Sequence, residues 1–235
     1  MATERRLQKL RQVLHRRQSD LVLALEYVHD PHNMAAVVRT ADAVGISKVL
    51  WLPDYASEGK INTAVSKGTE KWVEVVRLKE SLSDELLKYR EKGYGIAVTH
   101  MAKESVDFRT PDWTKPWVIV FGNEHRGCSD EIAEMADVNI YLPMAGFVQS
   151  LNISVAAAVT MYEIQRQRFE AGMYSLAKSK EETTLYYDKW KLEDMGIELG
   201  EVLEPFHGLP DALDSEHQDG RSNKTSVEAL LKKQK

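Results

Sequence analysis

A single cysteine, Cys128, stands among 235 residues, and one thiol makes neither an intrachain disulfide nor a structural zinc site. A disulfide-stapled mini-domain is therefore excluded. No stretch approaches the ~18 consecutive apolar residues of a membrane span. Residues 1–17 are charged from Glu4 onward and contain no apolar segment of the kind that directs secretion. The expectation is a cytoplasmic protein without membrane insertion. Metal-ligand spacing is missing as well: His15, His29, His32, His100, His125, His207 and His217 are scattered, and His125 with Cys128 is an incomplete pair, so no metal is expected. Gly93-x-Gly95 lacks the third glycine of a dinucleotide fingerprint and precedes a strand pattern, which makes it a turn. Net positive charge is absent too, with 31 Lys and Arg against 36 Asp and Glu. Its distribution is uneven, however. Residues 1–17 hold six cations and one anion, whereas residues 161–235 hold eleven cations and fifteen anions. A basic amino-terminal segment suits either a phosphate-rich partner or a solvated helix face.

What is present is 43% apolar residues, laid out with clear periods. Leu7, Leu10, Val13 and Leu14 recur at helical spacing among the cations, predicting an amphipathic helix that ends near Arg17. Short apolar runs at 21–26, 49–52, 72–76, 95–100, 117–121 and 138–142 read as strands. Between them 34–44, 83–92 and 129–136 read as helices, with Asn33 as an N-cap and Gly45 and Gly93 as terminators. Residues 151–169 read as one long helix. Strands that alternate with helices and are near-continuously apolar predict a parallel sheet covered on both faces, in the α/β class. Past Gly172 the pattern weakens: 184–195 has helical character, 208–224 is polar and turn-rich, and Thr225-x-x-Glu228 is a capping pattern. The expected organisation is a basic helical extension over 1–20, a core over 21–172, and a partly helical or disordered extension over 173–235.

Three segments concentrate polar residues at strand ends, where open α/β sheets bind ligands. In the first, Asn33-Met34-Ala35-Ala36-Val37-Val38-Arg39-Thr40-Ala41, an arginine interrupts an otherwise small and apolar helix. An ordinary pairing of Arg39 with Asp42 at i,i+3 would explain it equally well. The second, Phe121-Gly122-Asn123-Glu124-His125-Arg126-Gly127, is a glycine-flanked loop directly after a buried strand. The third runs from Leu142 to Ser154 and places Ser150 and Asn152 where the long helix begins, as N-capping alone also would.

In this order and at these separations the three segments resemble the motifs of the TrmH-type members of the SPOUT class of RNA methyltransferases, over about Leu21 to Gly172. The resemblance implies a deep trefoil knot formed by about Phe121 to Asn152, with S-adenosylmethionine bound in it. It also implies an obligate homodimer in which each active site is completed by the other subunit. The implied reaction is methyl transfer to a ribose 2′-hydroxyl. The basic amino-terminal helix and the carboxy-terminal extension resemble the branch that modifies guanosine 18 in the tRNA D-loop. Ribosomal RNA, another tRNA position, or a non-catalytic RNA-binding protein of the same fold are the alternatives. Carried over residue by residue, Thr99, Gly122, Ile140, Leu142, Met144 and Leu151 surround the cofactor, and Arg39, Asn33, Glu124, Ser150 and Asn152 form the catalytic group. Because a guanidinium is a permanent cation, Arg39 suits a clamp that stabilises developing alkoxide better than a general base. Arg11, Arg16, Arg17, Arg166 and Arg168 are the expected RNA contacts, giving affinity without sequence choice.

Overall fold

Five consecutive apolar residues, Leu21 to Leu25, leave a strand no polar face and direct it to the centre of a sheet. β1 (Leu21–Glu26) is buried along its whole length. In the computed structural model, which describes residues 3–53, 68, 71–123, 126–175 and 178–204, it pairs in parallel with β2 (Lys48–Leu52) on one side. On the other it pairs with β6 (Trp117–Phe121). With β3 (Glu74–Arg77), β4 (Gly95–Thr99), β5 (Val106–Asp107) and β7 (Val138–Tyr141), the strands form one seven-stranded sheet in the order β3-β2-β1-β6-β4-β7-β5. Every pairing in it is parallel.

The helices are α1 (Glu4–His15), α2 (Pro31–Ala43), α3 (Leu82–Glu91), α4 (Asp130–Glu134), α5 (Ile153–Glu170), α6 (Lys180–Lys189) and α7 (Leu199–Leu203). The two-residue period of the strands sorts the core onto two faces. Leu23, Leu25, Ile119 and Phe121 join Val37, Val38 and Ala41 of α2 and Ala157, Met161 and Ile164 of α5. Val22, Ala24, Val118 and Val120 join Leu82, Leu86 and Tyr89 of α3 and Ile132 near α4. A third cluster joins elements far apart in the chain: Leu7, Leu10 and Leu14 of α1 pack on Tyr186, Trp190, Leu192, Ile197 and Val202. These residues form one small helical core beside the sheet.

Boundaries differ from the sequence expectation where capping chemistry decides them. The second helix begins at Pro31, and Asp30 caps it by accepting from the His32 N–H at 2.9 Å. A proline in the first turn forfeits no hydrogen bond and presets φ, so Asn33 lies inside the helix instead of capping it. The late helix spans 180–189, set by the capping box of Ser179 and Glu182, four residues earlier than the apolar pattern indicates. β5, two residues long, left no period to read. The capping pattern at 225–228 lies outside the described residues.

Candidate active site

Because all strands run parallel, their carboxyl ends share one edge of the sheet, and the order reverses there between β1 and β6, where the chain switches sides. The loop leaving β6 folds sharply back. A Cβ on Gly122 would stand 2.1 Å from the Gly127 carbonyl carbon and the Cys128 nitrogen, so only glycine permits the closure. Asn123 and Gly127 then exchange backbone hydrogen bonds of 3.0 and 2.8 Å.

The end of β1 holds this loop in place. Asn123 Nδ2 donates to the Tyr27 carbonyl at 2.9 Å. The buried carboxylate of Glu26 accepts from Ser129 N–H at 2.8 Å and from its hydroxyl at 2.6 Å. Sequence reasoning missed Glu26; the available signal was an ionisable residue closing an otherwise apolar buried strand. Glu124 itself lies outside the described residues.

At the start of α5, Asn152 Oδ1 accepts from the Ser154 N–H at 2.9 Å and the Ser154 hydroxyl at 2.6 Å. Its Nδ2 donates to Asn33 Oδ1 at 3.1 Å. The first and third segments, 119 residues apart in sequence, are therefore joined side chain to side chain. Ser150 is exposed beside them. Arg39, two turns along α2, is exposed and makes no hydrogen bond or ion pair among the described residues. The simple alternative of an Arg39–Asp42 pair is not what the structure contains. Asp42 instead receives Arg17 Nη2 at 2.5 Å, which leaves the Arg39 guanidinium available to a ligand.

Thr99, Gly122 and Leu142 stand at the ends of the adjacent strands β4, β6 and β7, so sheet order alone brings these three together. The Thr99 hydroxyl donates to the Val120 carbonyl at 3.1 Å. Ile140 is fully buried in the core, while Leu142, Met144 and Leu151 are half-buried. Among the described residues, no N–H from 144 to 151 donates to a backbone carbonyl. A loop of unspent donors flanked by Leu142, Met144 and Leu151 offers both hydrogen bonds and apolar contact, the donor set that an adenosine group with an amino-acid tail requires. Burial pushes the neighbouring Cys128 thiol up to about 12, so it stays protonated at neutral pH and is no nucleophile. Among the described residues no group of three His, Cys, Asp or Glu lies together as a metal site.

The expected RNA contacts divide. Arg168 is fully buried and donates to the Trp113 and Lys115 carbonyls, to Gln18 Oε1, and to both oxygens of Asp20 at 2.6 and 3.1 Å. Arg17 is equally buried, 5.2 Å from the centre of the Trp190 ring. Arg11 is buried by α7, donating to the Glu201 carbonyl at 2.5 Å and pairing with Glu204 at 2.8 Å. These three tie the extensions to the core and are withdrawn from the RNA surface, contrary to expectation. Of these, Arg11 of α1 is held inward by a carboxylate of the acidic extension, Glu204. Arg16 reaches the surface in part, and Arg166 is exposed, bound to Glu163 and Glu170.

Residues 20–162 match the SpoU rRNA methylase family. The chain is 46% identical over 199 residues to the tRNA (guanosine(18)-2′-O)-methyltransferase of Aquifex aeolicus, covering 83% of this chain and 92% of that one. It is 42% identical over 172 residues to the protein of the same name from Thermus thermophilus, covering 73% and 88%. The crystal structure of the A. aeolicus TrmH/SpoU tRNA modifying enzyme superposes with a TM-score of 0.76 at 44% identity, covering 83% of this chain and 98% of that one. The SpoU methyltransferase AviRb from Streptomyces viridochromogenes, solved in complex with AdoMet, gives 0.56 at 26% identity over 65% and 62%.

Proposed function

Since the chain belongs to the SpoU rRNA methylase family, we propose that it transfers a methyl group from S-adenosylmethionine to the ribose 2′-hydroxyl of guanosine 18 in the tRNA D-loop. The observation that carries this reading is the junction of the first and third segments at Asn33 and Asn152, with Arg39, unpaired among the described residues, on the same helix. The likeness to guanosine-18 enzymes over most of both chains supports the tRNA target. S-adenosylmethionine, when bound, supplies an electrophilic methyl on a sulfonium.

The rest is done by the chain. Thr99, Gly122, Ile140, Leu142, Met144 and Leu151 hold the cofactor, mostly through backbone and packing. Arg39 clamps the acceptor ribose and its phosphate, and its fixed charge would stabilise alkoxide character on O2′ while the hydroxyl proton passes to water and the sulfonium, on giving up its methyl, leaves as a neutral thioether. Asn152 fixes Asn33, and with Glu124 and Ser150 they orient the substrate. Arg16 and Arg166 contribute phosphate contacts.

Two further features belong to this reading. The segment from about 121 to 152 is threaded as a trefoil knot, for which the placement of β6 between β1 and β4, with β7 beyond, gives support. The working unit is a homodimer, supported by Val155, Val159 and Tyr162, exposed at i, i+4 and i+7 along α5. Incubation of the protein with labelled S-adenosylmethionine and unmodified tRNA transcript is expected to label the tRNA and not a ribosomal RNA transcript. Labelling of ribosomal RNA alone would replace the substrate.

A further inference from the structure

A cleft of about 640 Å³ opens between α1, the carboxyl end of α2 and the last turns of α5. Its wall combines two chemistries. Lys9 comes from α1 and Arg16 from its carboxyl-terminal cap, and Phe169 and Tyr174 come from the end of α5 and the turn after it. Phe169 and Tyr174 are already stacked, with ring centres 4.3 Å apart and planes 13° from parallel. The Tyr174 hydroxyl anchors that stack by donating to the Val44 carbonyl at 2.5 Å. Asp42 also lines the cleft, with its carboxylate held by Arg17, and Lys9 donates to Gln12 Oε1 at 3.0 Å. Cations beside a rigid aromatic platform are the combination that binds single-stranded nucleic acid, phosphates on the cations and base faces on the rings.

The position is equally specific. Ala43 lines the cleft and follows Arg39 by four residues on the same helix, so it stands on the same face about 6 Å along the axis. That displacement is the reach of one nucleotide from the acceptor ribose. We infer that this cleft receives an unpaired nucleotide adjacent to the methylated one, its base packing on the Phe169–Tyr174 stack and its phosphate on Arg16 and Lys9. This rests on the proposed activity and adds to it a subsite that reads single-strandedness next to the acceptor. A base held in a duplex presents no free face to the platform.

The test compares wild type with Phe169→Leu and Arg16→Gln. Full-length tRNA transcripts carry either a normal or an abasic nucleotide immediately 5′ or 3′ of the acceptor. Binding is measured without cofactor and kcat/KM with it. Wild type is expected to lose roughly tenfold in affinity and in kcat/KM when one of the two flanking bases is removed. Phe169→Leu is expected to show a similar loss on the normal transcript and no further loss on the abasic one. Arg16→Gln, which leaves the platform, keeps the abasic penalty while weakening binding and flattening its salt dependence. Affinity for S-adenosylmethionine and sedimentation as the wild-type species are unchanged in both variants. An abasic penalty of equal size in wild type and Phe169→Leu, or no penalty in wild type, would overturn the subsite. A variant that sediments as a smaller species would overturn it as well, by giving the cleft to a second copy of the chain. Discrimination in binding without any methyl transfer would instead overturn the proposed activity and leave the subsite standing.

Discussion

Arg39 and Arg168 show how one residue type acquires opposite roles from its surroundings. Arg168 is fully buried with its donors taken up by Asp20, Gln18 and two carbonyls. Arg39 is exposed, and Asp42, the acid best placed to neutralise it, is drawn to Arg17. A cation with no partner among the described residues suits an anion that arrives with substrate. Arg39→Ala is therefore expected to lower kcat by 100-fold or more, the size of effect that removal of one transition-state donor produces. Its affinity for S-adenosylmethionine, measured by calorimetry, stays close to wild type. Wild-type turnover in the variant would remove Arg39 from the site. Arg168→Met has the opposite signature. It leaves the Asp20 carboxylate without its partner and is expected to cost about 3–5 kcal/mol of stability, read as a lowered midpoint in urea. Asp20→Asn in the same chain recovers part of that loss. At temperatures where the variant remains folded, the salt dependence of tRNA binding is unchanged, which a lost phosphate contact would not allow.

Among the elements, those with long apolar periods were legible and those set by caps or by distant partners were not. β1, β6 and α5 each fill a register of buried side chains, and hydrophobic pattern alone located them to within about two residues. The helix start at Pro31 was lost because Asp30 and Asn33 are both good caps by type, and the choice between them depends on where the proline falls. β5 is too short to have a period. Of the proposed site, the sequence showed three polar segments, and family likeness supplied the candidate residues. The geometry was not legible: Asn33 and Arg39, six positions apart on one helix, point about 240° from each other. The structure answers this by giving Asn33 to Asn152 and leaving Arg39 on another face. That Arg11 and Arg17 face inward was likewise hidden, because their partners Glu201, Glu204 and Asp42 lie in remote elements. Glu26 went unread for the same reason, since Ser129, which it holds, follows it by 103 residues.

At the scale of the whole molecule, one apolar stripe is left over after the sheet is covered. Val155, Val159 and Tyr162 are 46%, 40% and 54% exposed on the same helix whose opposite face packs α2. The proposed second copy, packed on this stripe, would account for apolar residues on the outward side of the first half of α5. Val159→Glu is expected to turn a dimer into a monomer in sedimentation at micromolar concentration, and to abolish methyl transfer with it. A wild-type chain that sediments as a monomer while turning over would remove the second subunit from the mechanism. The basic amino-terminal helix and the helices between 180 and 203 form one clustered unit on the flank, so the net charge of -5 conceals cations and anions that are paired with one another across that unit. The central claim is the atom that receives the methyl group. Unmodified tRNA transcript labelled by the protein from S-adenosylmethionine is digested to nucleosides and oligonucleotides, and the label is located by mass spectrometry. The account predicts a single methyl on the ribose of guanosine 18. A methyl on any base, or on the ribose of another nucleotide, would contradict it.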